Sequence, residues 1–547
     1  MFTLMHRSSR GGAVRRGAVL LAFAVFLGAV PAYGEVASAI LTEGGTFTGI
    51  PAGHSINSLN NTAVNHAGGY AVAVNTTDGV TTLSHVWGHA TGGAGQLIRT
   101  EGTFGPLMQT SFESFYGISN TAQVAYSASG TGGPVGSFDS VWLDDTPVAV
   151  EGDPIPTLPG QFWRFASRPG SSAGGDPYWV GGTTSVPGGS TENYGLFYGV
   201  GATVVLLGGM AVPGLPFALG TSSSVDFDYR YSAQGTHYIA PVKMASGSTT
   251  TDDAIVVDGA GLMLGGALVR EGAAVPPAIG GLAGENWGTF GLMGINEGGR
   301  FIFSGNTSAA TGVDEIVVAN GSILYREGQV LDGQTITGAI EGAALNEDGD
   351  TALVWDVDPV LALEALFVND QLVLLEGDAV DLDNDGIVEP GSILRDFTGI
   401  SALTMSDRNV SGNVFVYFTA DVDTAGTTST TDDVEGFFRL EAETPGTVSV
   451  ASSTGPAIRM LQGAPNPSSG PLRVQYELAR PSTVNLSVFD IAGRLVARLE
   501  AGRKEAGRYE RLWSGRDAAG NRVAAGTYFV RLHDGERAVS EKILFMP

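Results

Sequence analysis

The residues best placed to do chemistry are Asp381, Asp383 and Asp385, in the run Asp381-Leu382-Asp383-Asn384-Asp385-Gly386. Three carboxylates on alternate positions, followed by a glycine that turns the chain, can converge on one hard cation, and Glu389 can contribute a fourth. The chemistry implied is structural calcium binding through oxygen ligands. The competing reading is an acidic, solvated turn.

Other candidates are weaker. The acidic run resembles the start of a calcium loop of the EF-hand type, although Ser392 takes the place of the closing bidentate glutamate and no flanking helices are evident. His85 and His89 share a face whether the segment is helix or strand. Their surroundings read as a surface strand with scattered histidines rather than a metal pair. Gly170-Ser171-Ser172-Ala173-Gly174 matches Gly-x-Ser-x-Gly on paper, but a nucleophile elbow needs a strand before it and a helix after it. Arg168-Pro169 and Gly175-Asp176-Pro177 surround it instead, so it reads as a turn and Ser172 as non-catalytic. No phosphate loop occurs. A carboxylate pair for glycoside hydrolysis is not readable from spacing, because its members can lie far apart. Phe162, Trp163, Phe165, Tyr178, Trp179 and Trp287 could form a sugar platform; packing between sheets is the favoured expectation. Glu43, Glu101, Glu151, Glu271, Glu327 and Glu376 recur in register, which marks them as architectural.

The elements that must position these residues are set by a repeat. Ile295-Asn296-Glu297-Gly298-Gly299-Arg300-Phe301-Ile302-Phe303 is its clearest copy. Starts at 65, 119, 172, 232, 296, 346 and 409 give spacings of 54, 53, 60, 64, 50 and 63 residues. Each copy carries a polar residue and, in all but the one beginning at Ser119, a glycine three later, then apolar residues. This reads as a turn followed by a buried strand. Short apolar runs ending in Glu-Gly follow each of the first six starts, as at Ile323 to Gly328, with Gly208-Gly209 a degenerate copy. Asn320-Gly321 and Asn369-Asp370 read as hairpin turns. About four short strands per unit predict a β-propeller of seven blades, with a parallel β-helix as the rival. Ala39 to Gly44 looks like an orphan Glu-Gly strand that completes the last blade, with Thr447 to Ser452 as the competing partner.

The repeat resembles a bacterial family of exported tandem-repeat proteins described by Asn-x-x-Gly-x-x-Ala-Phe, over roughly residues 35–440. That resemblance implies no particular activity.

Composition narrows the class. Gly 80 of 547 residues, hydrophobic content of 43% and charged content of 16% describe an ordered, turn-rich β protein. The absence of cysteine rules out disulfides, thiolate metal sites and a cysteine nucleophile. The net charge of −27 is unevenly spread: residues 35–458 hold 11 basic and 47 acidic residues, whereas residues 459–547 hold 14 basic and 9 acidic. This excludes a basic footprint for nucleic acid on the large domain. Arg7, Arg10, Arg15 and Arg16 precede the apolar run Gly17 to Val30, and small residues precede Glu35, so residues 1–34 are expected to be a signal peptide.

Residues 441–458 read as a linker. Beyond them, six or seven short strands predict a small β-sandwich over 459–547. Pro465-Asn466-Pro467, Phe489-Asp490 with Gly493-Arg494, Trp513 with Gly515 and Asp517, Gly520, and Gly526-Thr527-Tyr528 resemble the C-terminal sorting domain of type IX secretion cargo and the related immunoglobulin-like domain of flagellar hook-capping proteins. That resemblance implies passage across the outer membrane, with the secretion machinery as partner through 459–547.

The expectation is therefore an all-β chain: a seven-bladed β-propeller followed by an immunoglobulin-like β-sandwich. It would be secreted or held at the cell surface on the extracellular face of the outer membrane, binding an unknown extracellular ligand without catalysis. Calcium at Asp381, Asp383, Asp385 and Glu389 is the expected cofactor. The alternative is a propeller enzyme acting on an extracellular polymer such as polysaccharide.

Overall fold

The computed structural model describes residues 36–444 and 458–545, apart from 90, 222–224, 226–227, 358–362, 386–387, 390, 399–402, 426–429, 431, 462–471, 479–481, 491–493, 505–506, 517–521 and 534–537. The expected signal peptide and residues 447–452 lie outside the described residues. No helix among the described residues is long and apolar enough to cross a membrane. The chain divides into two compact units between residues 447 and 448.

In the first unit, seven antiparallel sheets of four or five strands succeed one another. Sheet 1 runs from Ser55–Val64 through Tyr70–Thr77 and Thr82–His89 to Gln96–Thr100. Sheets 2 to 6 occupy 103–150, 162–207, 230–261, 287–326 and 330–375 in the same meander order. Sheet 7 combines Ile393–Thr398, Thr404–Met405, Asn413–Asp423 and Val434–Glu443 with Ser38–Thr42 from the start of the unit. All named strand pairs are antiparallel, which rules out the rival β-helix: successive strands are joined by turns too short for parallel crossovers. Asn320 and Gly321 both take positive φ (50° and 90°), as do Asn369 and Asp370 (46° and 70°), giving the two expected hairpins.

The strand that follows each repeat turn is largely buried on both faces, because neighbouring sheets pack against both. Thr351–Val357 and Tyr70–Thr77 are nearly continuous in burial, which is why they read as apolar runs rather than alternating strands. Seven separate hydrophobic clusters lie between consecutive sheets, from Ala71, Tyr116 and Tyr126 between sheets 1 and 2 to Leu41, Trp87, Tyr417 and Phe437 between sheets 7 and 1. Seven interfaces among seven sheets make a closed ring, since an open row would have six and leave two sheet faces uncovered. Closure is by strand pairing: Ser38–Thr42 pairs with Val434–Glu443, Ser38 opposite Arg439 and Thr42 opposite Gly436.

The strand Val434–Glu443 runs past the linker start expected at residue 441, because Asn413–Asp423 is long enough to pair with it through Glu443. In the second unit, Ile458–Leu461, Leu472–Leu478 and Gly507–Trp513 form one sheet. Leu495–Lys504, Ser482–Asp490, Gly526–His533 and Ala538–Phe545 form the other. They enclose a core around Tyr476, Leu486, Trp513, Val530 and Phe545, a small β-sandwich as expected.

The repeat turns have one geometry. Gly299 N–H donates to Asn296 O (2.9 Å), and Gly299 takes φ +69°. The corresponding residue of the second copy is Ala122, held at φ +66°. An L side chain there costs about 1–2 kcal/mol, partly offset by the chain entropy a glycine adds to the unfolded state. Ala122→Gly should therefore raise the unfolding free energy by about 0.5–1 kcal/mol, and Gly299→Ala, whose new methyl meets open space, should lower it by a similar amount. Urea unfolding curves measure both.

Candidate functional site

The polar residue that opens each repeat closes its own turn. Asn296 Oδ1 accepts from Arg300 N (3.0 Å), Asn65 Oδ1 from Gly69 N (2.6 Å) and Asn346 Oδ1 from Asp350 N (2.7 Å). Ser119, Ser172 and Ser232 use Oγ in the same way, each at 3.0 Å. The side-chain amide then reaches the next sheet: Asn65 Nδ2 donates to Ser119 O (2.8 Å), Asn296 Nδ2 to Asn346 O (3.1 Å) and Asn346 Nδ2 to Ser406 O (3.0 Å). Where serine cannot reach, backbone bonds substitute, as in Ala173 N to Ala233 O (2.7 Å). Carboxylates complete the circuit. Glu347 accepts from Ala233 N (3.0 Å) and Glu297 N (2.6 Å), and Asp407 accepts from Glu347 N (2.9 Å) and contacts His66 Nδ1 (3.1 Å). Burial opposes protonation of His66, but the Asp407 hydrogen bond and the charges of Asp407, Glu347 and Glu297 raise its pKa overall. These acids are occupied in bracing the ring.

The Glu-Gly segments are the crossings between sheets. Glu327 N–H donates to Glu315 O (2.9 Å) in its own sheet, and Gly328 N–H to Ile336 O (2.8 Å) in the next. The same pair of bonds recurs at Glu151-Gly152, Glu271-Gly272, Glu376-Gly377 and Glu43-Gly44. The side chains serve backbone groups as well: Glu327 Oε1 accepts from Gly338 N (2.7 Å) and Glu376 Oε2 from Glu364 N (3.3 Å). The architectural reading of these glutamates holds.

Five of these crossings also place an acid from the preceding strand beside the glutamate, giving Asp139 with Glu151, Asp253 with Glu271, Glu315 with Glu327, Glu364 with Glu376, and Glu435 with Glu43. Sequence reasoning missed these pairs; their members stand 12 to 18 residues apart, except Glu435 and Glu43, which only ring closure brings together. Arg164 pairs with Glu151 and Lys243 with Asp253. Glu271, Glu315, Glu364, Glu376 and Glu435 are shifted upward. Burial, then Asp314 and Glu327, push Glu315 to about 7. Burial pushes Glu376 to about 7, aided by the charge of Asp396. Burial, with Asp421 and Glu43, pushes Glu435 to about 7. Glu364 moves upward through burial and its contact with Asp396.

The structure brings the sequence-predicted cation ligands together. One carboxylate oxygen from each of Asp381, Asp383, Asp385 and Glu389 lies within 4.8 Å of the others. Asp381 is buried, Asp383 and Asp385 are exposed, and Glu389 is between. The loop is tied to the ring-closing strand: Ala39 N–H donates to Asp381 O (2.7 Å) and Ser38 Oγ to Asp381 Oδ2 (3.1 Å). Asn384 N donates to Asp381 Oδ1 (2.7 Å) and Leu382 N to Glu389 Oε2 (2.8 Å). Gly386 lies outside the described residues.

The other sequence candidates resolve as structure. His85 is buried between the hydroxyls of Thr76 (2.8 Å) and Thr100 (2.9 Å), and burial lowers its pKa to about 4. His89 Nδ1 accepts from Gly93 N (2.9 Å). Both rings are therefore engaged with protein groups rather than with each other. Ser172 Oγ closes its own turn. Trp163, Trp179 and Trp287 are buried, Trp163 edge-on to Phe197 at 4.6 Å, so packing accounts for them. Tyr178 alone of the aromatic set borders a cavity.

That cavity, of about 210 Å³, lies on the ring axis beneath the repeat turns, and all seven sheets line it. The innermost strands converge so closely here that a Cβ on Gly117 would stand 2.1 Å from Ser171 N. Sheets 2 to 4 and their flanks contribute Tyr116, Arg168, Tyr178, Tyr229, Arg230 and Tyr231; the opposite wall is apolar, including Met293, Leu345 and Met405.

Residues 463–535 match the model of the FlgD Ig-like domain. No curated protein matches the chain. Among solved structures, the chain is similar to PorZ, described as a bacterial surface component of the type IX secretion system of Porphyromonas gingivalis, at 12% identity over 90% of this chain and 82% of that one, with a TM-score of 0.20. The Dos1 propeller shares 11% identity over 71% of this chain and 77% of that one, with a TM-score of 0.30. An α-L-arabinanase of Penicillium chrysogenum shares 10% over 74% and 98%, with a TM-score of 0.27. Likenesses this distant say nothing of ligand or activity, and the fold rests on the strand pairing itself.

The paired acids set a pH dependence. Glu315, Glu376 and Glu435 hold protons in the folded chain at pH values where the unfolded chain has released them. Their contribution is therefore full below the ordinary carboxylate range and is lost as pH rises through about 7. Melting temperature should be higher at pH 5 than at pH 8, and Glu376→Gln, which keeps the neutral shape, should flatten the slope. A melting temperature that rises over this range would contradict the assignment.

Proposed function

We propose that the chain is an exported, non-enzymatic binding protein of the cell surface or its surroundings, a seven-bladed ring delivered by a C-terminal sorting domain. The observation that carries this reading is the FlgD Ig-like match at 463–535, on a module of opposite charge balance to the ring. The sequence pattern of residues 1–34 supports export, and the sorting resemblance supports the outer-membrane secretion machinery as partner. On the ring, the repeated acids are committed to bracing, and the described lining of the axial cavity holds no Asp or Glu. That weighs toward ligand binding over polysaccharide cleavage, which uses a convergent pair of carboxyl groups. In a bacterium with a type IX system, the full chain should reach the surface or medium, and a chain ending at residue 455 should stay inside the cell. Equal export of both, read by fractionation and immunoblot, would remove the sorting role.

Calcium at Asp381, Asp383, Asp385 and Glu389 is part of the same proposal. Four converging carboxylate groups are the donor set a hard cation takes, and their attachment to Ser38 and Ala39 means that a bound ion would reinforce the strand that closes the ring. Millimolar calcium should raise the melting temperature relative to chelator by mass action on the native state, and Asp383→Ala should abolish the shift. No shift in the parent protein leaves the loop as a solvated turn.

A further inference from the structure

The axial cavity differs in charge from the unit that surrounds it. Residues 35–458 contain 47 acidic and 11 basic residues, yet the described lining of the cavity includes Arg168, Arg230 and His66 and no carboxylate. Random placement would favour the reverse. The acids that act on His66, namely Glu297, Glu347 and Asp407, belong to the turns above and are bonded to backbone N–H groups and His66.

The basic side is also built. Arg168 interrupts the inner strand of sheet 3 at a bulge between Ser167 and Gly170. It takes φ +54° directly before Pro169, a left-handed conformation that costs free energy for a residue with a side chain. The Tyr229 hydroxyl donates to Arg168 O and holds the bulge in place. Bulges of this kind re-aim side chains beside functional sites. Arg230 is anchored by Nη1 on Tyr229 O (2.8 Å), which occupies a single one of its several donors. The rings of Tyr178 and Tyr229 stand near Arg230 and border the same cavity. Facing these groups, Met293, Ile295, Leu345 and Met405 form an apolar wall.

We infer that the axial cavity binds a small carboxylate with an apolar body, its carboxylate on Arg230 and its body against the wall of Met293 and Leu345. A guanidinium fork matches a planar carboxylate, and the volume of about 210 Å³ admits one small ring compound. The inference deepens the reading of the ring as a binding module and is independent of the export reading, which is tested by location.

The test uses the full chain and saturation-transfer NMR with phenylacetate as the probe and phenylethanol as its neutral counterpart. The unit's net negative charge repels anions in general, so saturation of phenylacetate reports a local site. Phenylacetate should bind at least tenfold more tightly than phenylethanol. Arg230→Gln should weaken it about tenfold or more, while Arg99→Gln, which breaks a peripheral pair with Asp145, should leave it unchanged. If Arg230→Gln melts below the parent protein, Arg230→Lys, which keeps the charge but not the planar fork, takes its place and should weaken phenylacetate without affecting phenylethanol. No transfer to phenylacetate, equal binding of the alcohol, or no change in either cavity variant would overturn the proposal.

Discussion

Everything in the large unit depends on closing a ring. A row of sheets stacked face to face always leaves two apolar faces uncovered unless the last packs on the first. Here Ser38–Thr42 is laid on Val434–Glu443, so that residues nearly 400 positions apart in the chain share one sheet. The interface it completes buries Leu41, Tyr70, Trp87, Tyr417 and Phe437. Tyr417 then donates to Gly68 O across the junction (3.0 Å). Without this strand the outer edge of Val434–Glu443 would be open, and an unpaired edge is a site for misassociation.

A second constraint follows from the first. Seven inner strands pointing at one axis bring their turns together, and each turn presents backbone groups that must be satisfied. The repeat's opening residue meets both demands at once, closing its own turn and bonding the next. Asparagine does this with two polar atoms of opposite character; serine, with one oxygen, leaves the outward bond to the backbone. At the outer crossings the solution is carboxyl-rich. Paired acids in poorly solvated positions hold protons and bond backbone amides, so a domain of strongly negative formal charge carries less charge than its composition implies at mildly acidic pH.

These two devices leave the axis chemically distinct. Glycine, alanine and apolar residues dominate where the strands come closest, and arginine and tyrosine occupy a single sector. The bracing acids are kept out of that sector because each is bonded elsewhere. The second unit is a separate β-sandwich with its own core around Trp513 and a basic balance, opposite to that of the ring.

Much of this was legible in the chain. The repeat at 65, 119, 172, 232, 296, 346 and 409 marks seven real turns, because a left-handed turn restricts residue choice enough to leave a mark. The orphan strand near residue 40, the Asn320-Gly321 hairpin and the acidic loop were readable for the same reason: local geometry selects local sequence. What the sequence did not determine was partnership. Glu364 and Asp396, Asp407 and His66, or Arg168 and Tyr229 become neighbours only when sheets meet, and nothing in their spacing encodes it. The axial cavity belongs to the same class. Each sheet contributes two or three unremarkable residues, and only the closing of the ring turns them into one wall with a basic side and an apolar side.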